Sequence, residues 1–289
     1  MTTLTEGTVS FRDGETWYAV SEPANRAPGS RLLPLVVLHG GPGMTHDYLR
    51  ALADLFDDRQ VVLYDQFGSG NSSHRPDWDA KEWTAGLFVE QLRDLLAHLG
   101  FAESGGFHLL GHSWGGMLAQ EFTFGHPKGQ ASLILSDTSA SAAGIVDSMA
   151  ALMAPISAEE PDEQAQRNLF FQRHFCRLDP TPDDLVRALE LVGQNPGVFV
   201  AMMGPAGDAS GTLHGWTGVP RLPEITVPTL VLAGEHDELQ PIAWGPLAEH
   251  IPGVRTHVFA GASHVPYLES PDEYHAIVAP FLAEHDAVV

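Results

Sequence analysis

Gly111-His112-Ser113-Trp114-Gly115-Gly116 follows a strand-like run at 107–110 and opens a stretch of helical periodicity at 114–124. A serine at the tip of a strand–turn–helix junction, flanked by glycines, is the pattern of a nucleophile elbow. Such a turn is too tight for side chains at its flanks. It holds the serine in a strained conformation with Oγ exposed, and it sets the N-terminus of the next helix beneath it. With 29 glycines in the chain the G-x-S-x-G spacing alone says little; the strand before it and the helix after it carry the reading.

Working outward, runs at 35–39, 60–64, 132–136, 229–233 and 257–259 are β-branched and leucine-rich without polar alternation. That is the pattern of parallel strands buried on both faces. Helical patterns lie between them. The stretch 90–99 puts Leu92, Leu95, Leu96 and Leu99 on one face, and 271–283 opens with a proline suited to a first helical turn. Strands alternating with helices predict an α/β fold, a mostly parallel central sheet with helices on both faces. Asp13-Gly14, between extended runs at 8–11 and 16–20, predicts a hairpin at an antiparallel edge. The alternation breaks after Asp137: from 141 to about 204 the text is helical and rich in Met and Phe. We expect an inserted helical cap at 139–221 over a core made of 1–138 and 222–289. Most of the cap's apolar residues must form its own core, and a minority face the serine.

The chain has 289 residues, 44% of them hydrophobic, enough for a sizeable core. Acidic residues number 37 against 15 basic, a formal charge of -22. Such a surface repels phosphate backbones and anionic lipid, so neither nucleic acid nor membrane headgroups are expected partners. The one cysteine, Cys176, sits among Leu169, Phe170, Phe171 and Phe175 and reads as a buried, inert thiol. No apolar stretch near the N-terminus reads as a secretory signal, and no run approaches the ~18 residues of a membrane span. A soluble, cytoplasmic protein is the expectation.

Three further turns supply what a serine nucleophile needs. His39-Gly40-Gly41-Pro42-Gly43 follows the strand at 35–39. Acyl transfer develops negative charge on a carbonyl oxygen, and donors must already point there. The N–H groups of Gly41 and Trp114 are the expected oxyanion hole. Gly234-Glu235-His236-Asp237-Glu238 and Gly261-Ala262-Ser263-His264 each follow a late strand. Ser113, then Asp237, then His264 is the chain order of the α/β-hydrolase fold. His264, with an ordinary pKa near ~6.5, would take the serine proton and later give it to the leaving group; Asp237 would fix its tautomer. His39, His112 and His236 flank the motifs without that order. No His/Cys cluster has metal-ligand spacing, and the chemistry calls for no metal or cofactor.

His39–Gly43 continues as Met44-Thr45-His46-Asp47-Tyr48-Leu49, and Asp65-Gln66-Phe67-Gly68-Ser69-Gly70-Asn71-Ser72 follows. The pairing of H-G-G-P-G with D-Q-x-G-x-G-x-S, together with the three catalytic turns, resembles the proline iminopeptidase family of serine aminopeptidases and amidases. The resemblance runs from about residue 7 to 284. It implies removal of an N-terminal residue, often proline, from a peptide, amide or arylamide, so the expected partner is a small molecule or short peptide with a free amine. It also implies that acidic groups hold that amine, one being the glutamate after the triad aspartate, here Glu238. The chain departs from the family where a cap stretch usually reads G-P-x-E-F. Here Gly204-Pro205-Ala206-Gly207-Asp208 stands. Glycine replaces the glutamate, and Asp208 is the candidate substitute one place on. Some relatives remove an aminoacyl cap from a lipophilic amide such as a macrolactam in antibiotic pathways, and the Met- and Phe-rich cap would suit such a leaving group. An esterase or acyltransferase on the same triad is the alternative enzyme reading, and a non-catalytic ligand receptor the alternative outside enzymes. The acidic-nucleophile chemistry of dehalogenases and epoxide hydrolases is excluded by Ser113.

Overall fold

The computed structural model describes residues 2–25, 32–101 and 105–286. The chain opens with the hairpin β1 (Leu4–Phe11) and β2 (Gly14–Ser21), then alternates: β3 (Leu35–Leu38), α1 (Ala51–Leu55), β4 (Val61–Tyr64), α2 (Ala85–His98), β5 (Phe107–His112), α3 (Trp114–Thr123) and β6 (Gln130–Ser136). Four helices come next: α4 (Ala142–Glu159), α5 (Glu163–Phe170), α6 (Asp183–Gln194) and α7 (Gly197–Met203), with a π-helical turn Phe171–Phe175 after α5. The alternation resumes with β7 (Thr229–Gly234), α8 (Pro241–His250) and β8 (Arg255–Phe259), and ends in α9 (Pro266–Glu269) and α10 (Pro271–His285).

The eight strands form one sheet in the order β1-β2-β4-β3-β5-β6-β7-β8. The first two are antiparallel additions, and the pairs from β4 to β8 are parallel. Successive residues of a strand face opposite sides. Val36 and Leu38 accordingly join a core with α2, α3 and α8, while Leu35 and Val37 join one with α1 and α10. Helices therefore cover both faces, as the alternation predicted.

The differences from the sequence reading lie at the ends and edges. α2 begins at Ala85 rather than 90, because Thr84 caps it by accepting from the Leu87 N–H, and Leu87 and Phe88 are buried. β1 runs from Leu4 rather than 8; as an edge strand with mixed burial it lacks the apolar signal of its partners. β8, expected to be buried, is the opposite edge, with Val258 45% exposed and Phe259 its one buried residue. Cys176 is buried. Among the described residues no helix is long and apolar enough to cross a membrane, and no three His, Cys, Asp or Glu side chains cluster to hold a metal.

From β3 the chain moves to β4 on one side, while β5 pairs with β3 on the other. Loops leaving the carboxyl ends of β3 and β5 diverge there and leave a crevice, the usual place for a ligand in an open parallel sheet. The glycine-rich turn at 39–43 and the turn at Ser113 both open at it.

Candidate active site

Ser113 has φ 57° and ψ -125°, a conformation a side-chain-bearing residue adopts only when its surroundings impose it. The surroundings are specific. Its N–H donates to the Ser136 carbonyl at 3.0 Å, and its own carbonyl accepts from the Gly116 N–H and from Thr138 Oγ1 at 2.6 Å. The elbow also needs α3 pressed against β3: a Cβ on Gly115 would stand 2.1 Å from the Leu38 carbonyl oxygen. Strain here is held by backbone packing on two strands, and it leaves Ser113 partly exposed on the crevice wall.

His264 Nδ1 donates to Asp237 Oδ1 at 2.7 Å, and the Leu239 N–H donates to the same oxygen at 2.9 Å. Nε2 is thus the nitrogen left for a serine proton. Both side chains are fully buried. Burial works against the imidazolium, yet the carboxylates of Asp237 and Glu238 outweigh it and raise His264 to about 9. The second oxygen of Asp237, Oδ2, is buried with no donor among the described N–H and O–H groups. The carboxyl lying against Asp237 is that of Asp137, at the carboxyl end of β6. Asp137 accepts from the Gly234 N–H at 3.0 Å and from Ser136 Oγ at 2.7 Å. Burial, then the charge of Asp237, pushes its pKa well above the usual carboxylate range. Two carboxyls this close cannot both ionise, so Asp137 keeps a proton that it can donate to Asp237.

A second buried chain of hydrogen bonds ties three loops together. His112 Nε2 lies 2.7 Å from the His264 carbonyl, which can only accept, so Nε2 carries the proton. Nδ1 therefore accepts from the Tyr48 hydroxyl at 2.9 Å, and that oxygen in turn accepts the Gly40 N–H at 2.7 Å. Burial keeps His112 neutral, its pKa well below that of a free imidazole. With the Gly40 N–H engaged, the next donor of the turn is that of Gly41, whose φ of +110° favours glycine and where a Cβ would strike the Met44 N–H at 2.7 Å. Trp114 is the first residue of α3, and its N–H is one that the helix ladder leaves free. Both expected oxyanion donors line the crevice.

The D-Q-x-G-x-G-x-S stretch has a structural task. Asp65 Oδ1 accepts from the His46 N–H at 2.7 Å and from His46 Nδ1 at 2.9 Å, while Oδ2 accepts from the Asn71 N–H. Gln66 Nε2 donates to the His39 carbonyl, and Gln66 Oε1 accepts from the Trp114 indole at 2.8 Å. The motif thus clamps the glycine-rich turn and the elbow to one another.

Ser113, His264, Gly41, Trp114 and Glu238 surround one cavity of about 510 Å³, lined mainly by Met, Phe and aliphatic side chains from α3, α4, α6 and α7. Among its described lining residues Glu238 is the one carboxylate. Its Oε1 lies 3.6 Å from His264 Nε2, its side chain is 16% exposed, and burial raises its pKa. The helices after β6 also hold the loop that carries it. Ser148 Oγ on α4 donates to the Glu238 carbonyl at 2.6 Å and accepts the Gln240 N–H, and the His174 carbonyl accepts the Glu238 N–H. Asp208 is not brought to the site. Pro205, Ala206 and Gly207 line the cavity, whereas the exposed Asp208 turns back to accept from the Ser210 N–H and hydroxyl. Asp137, Tyr48 and His112 are the residues that sequence reasoning did not assign. For Asp137 a signal existed, an acid at the carboxyl tip of an expected strand; Tyr48 and His112 act through contacts that no local spacing encodes.

The family described as alpha/beta hydrolase fold matches residues 34–271. A proline iminopeptidase from Lactobacillus delbrueckii subsp. lactis is 31% identical, covering 98% of this chain and 99% of its own length. The crystal structure of a proline iminopeptidase from Mycobacterium smegmatis superposes with a TM-score of 0.90 at 41% identity, covering 98% and 99% of the two chains. That of VinJ does so at 0.88 and 36%, covering 97% and 99%. The chain therefore belongs to the α/β-hydrolase family, as a hydrolytic enzyme of the proline iminopeptidase type.

Proposed function

We propose that this protein is a serine aminopeptidase or amide hydrolase that removes an N-terminal aminoacyl group, proline or a small residue such as alanine, through an acyl-enzyme. Ser113 Oγ attacks the carbonyl carbon as His264 Nε2 takes its proton, and Asp237 stabilises the imidazolium. The Gly41 and Trp114 N–H groups receive the oxyanion. The imidazolium then protonates the leaving amine, and water repeats the sequence to release the amino acid.

One observation carries the aminoacyl reading: Glu238, the one carboxylate among the described lining residues of a mainly apolar cavity, stands beside the catalytic imidazole. A half-buried carboxylate pairs with a substrate ammonium and disfavours neutral ends. The apolar lining supports a lipophilic leaving group, a macrolactam amide being one. The proposal includes the division into a core of 1–138 and 222–289 and a cap of 139–221, and a cytoplasmic site of action on dissolved substrate. The test is a panel of aminoacyl arylamides with N-acetylated and ester controls. Free-amine substrates should be turned over far faster than their N-acetyl forms. Equal rates, or turnover of esters alone, would replace this reading with that of an esterase.

A further inference from the structure

The nitrogen of His264 that faces the reaction has a carboxylate beside it. Nδ1 is committed to Asp237, and Nε2 lies 3.6 Å from Glu238 Oε1, with His264 1% and Glu238 16% exposed. A carboxylate so placed favours the imidazolium, which cannot act as a base. The other groups around the ring do not offset it. Asp237 and Glu269 are acidic as well, and the neighbouring ring of His112, 4.8 Å away between centroids, is held neutral by burial. The ring of Phe175 lies tilted against that of His264, 5.1 Å away between centroids, and brings no charge, and Asp137 beyond Asp237 keeps its proton.

We propose that Glu238 is a removable counter-ion: it holds His264 as imidazolium in the free enzyme, and a substrate ammonium releases the base by pairing with Glu238 instead. The Nε2 proton passes to solvent as the ammonium binds. The freed nitrogen then accepts the Ser113 Oγ proton while Oγ bonds to the carbonyl carbon. This rests on the reading of Glu238 as the amine anchor and goes beyond it. Substrates with an amine are selected twice, once in binding and once in switching on the base. A neutral ligand of the same shape fills the cavity and finds the base protonated.

The profile of kcat against pH reports groups in the substrate complex. In the wild-type enzyme the acid limb for a neutral propionyl aryl ester should lie about one pH unit or more above that for an alanyl arylamide. In Glu238→Gln the ester limb should fall by a similar amount. Its rate at pH 7 should then rise about tenfold, while kcat/KM for the alanyl arylamide drops. An ester limb that stays put while the alanyl substrate loses kcat/KM overturns the counter-ion and keeps the anchor. An alanyl kcat/KM that stays put, with N-acetylalanyl arylamide turned over as well, overturns both. A second measurement needs no change at Glu238. In Ser113→Ala protein, saturating alaninamide should lower the NMR titration midpoint of His264 by about one unit; saturation without a shift overturns the proposal.

Discussion

Replacing Asp137 by asparagine isolates the proton that its buried carboxyl carries. In the fold, burial and the charge of Asp237 raise the pKa of Asp137 well above 3.8. Below about pH 3.8 the group is protonated in both the folded and the unfolded chain and costs nothing. As pH rises past that value the unfolded chain ionises and the folded one does not. The wild type then loses about 1.4 kcal/mol of stability per pH unit, until the pH reaches the raised folded value. Asparagine has no such dependence. Its amide fits the same place: Oδ1 accepts the Gly234 N–H, and Nδ2 donates to Asp237 and Ser136. Thermal unfolding of both proteins from pH 4 to 8 gives the test, because the other titrating groups cancel in the difference. Tm of the asparagine variant should climb relative to wild type by about 3 °C per pH unit above pH 4 and then level off, since one kcal/mol moves Tm by about 2 °C in a chain of this size. kcat should stay within a few-fold of wild type. A flat difference, or an asparagine variant that weakens as pH rises, would show that Asp137 is ionised in the fold and would refute the shared proton. Alanine should keep the pH trend from a lower baseline, because the Gly234 N–H, Ser136 Oγ and Asp237 Oδ2 each lose a partner at about 1–3 kcal/mol when buried.

Ser113→Ala should fold with wild-type Tm and lose at least about three orders of magnitude in kcat; a folded variant keeping a tenth of the activity would point to another nucleophile. Tyr48→Phe should cost about 1–3 kcal/mol in urea unfolding, by stranding the Gly40 N–H and His112 Nδ1. It should also lower kcat more than it raises KM, and unchanged kcat would mean that the three-loop chain does not position the reacting groups. Asp208→Asn should leave kcat/KM on aminoacyl arylamides within about twofold of wild type, the small effect usual for surface positions. A tenfold loss would restore Asp208 as an amine anchor.

What the sequence made legible is what repeats with a strand. Ser113 and Asp237 follow buried apolar strands and His264 follows the edge strand β8, and because β5, β7 and β8 run parallel in one sheet their closing turns present these residues at the same edge of it. Their relative positions therefore follow from topology. Tyr48 and His112 are 64 residues apart and meet only because β3 and β5 pair, so their hydrogen bond has no local trace. Asp208 shows the opposite failure, a residue assigned by adjacency. Around it Gly204, Gly207 and Ala209 all have positive φ, so neighbouring side chains leave the backbone in unrelated directions. One step along the chain moves the carboxylate out of the cavity. The edge strands β1 and β8 were read least well, because a half-exposed strand carries half the apolar signal.

The hydrogen bonds from Ser148 and from the His174 carbonyl to the loop of Asp237 and Glu238 bear on how such an enzyme can be re-engineered or can diverge. The helices between β6 and β7 invite exchange as a module, since they line the substrate cavity and enter and leave the sheet at two points. Yet two of their own atoms hold the segment that carries the acid and the amine carboxylate. A transplanted set of helices without a hydroxyl at the place of Ser148, or with a different turn after α5, would bring its new pocket at the expense of catalytic alignment. Substrate range and turnover are in this way inherited together, and variation in what is bound is channelled into side chains facing the cavity rather than into the path of the helices.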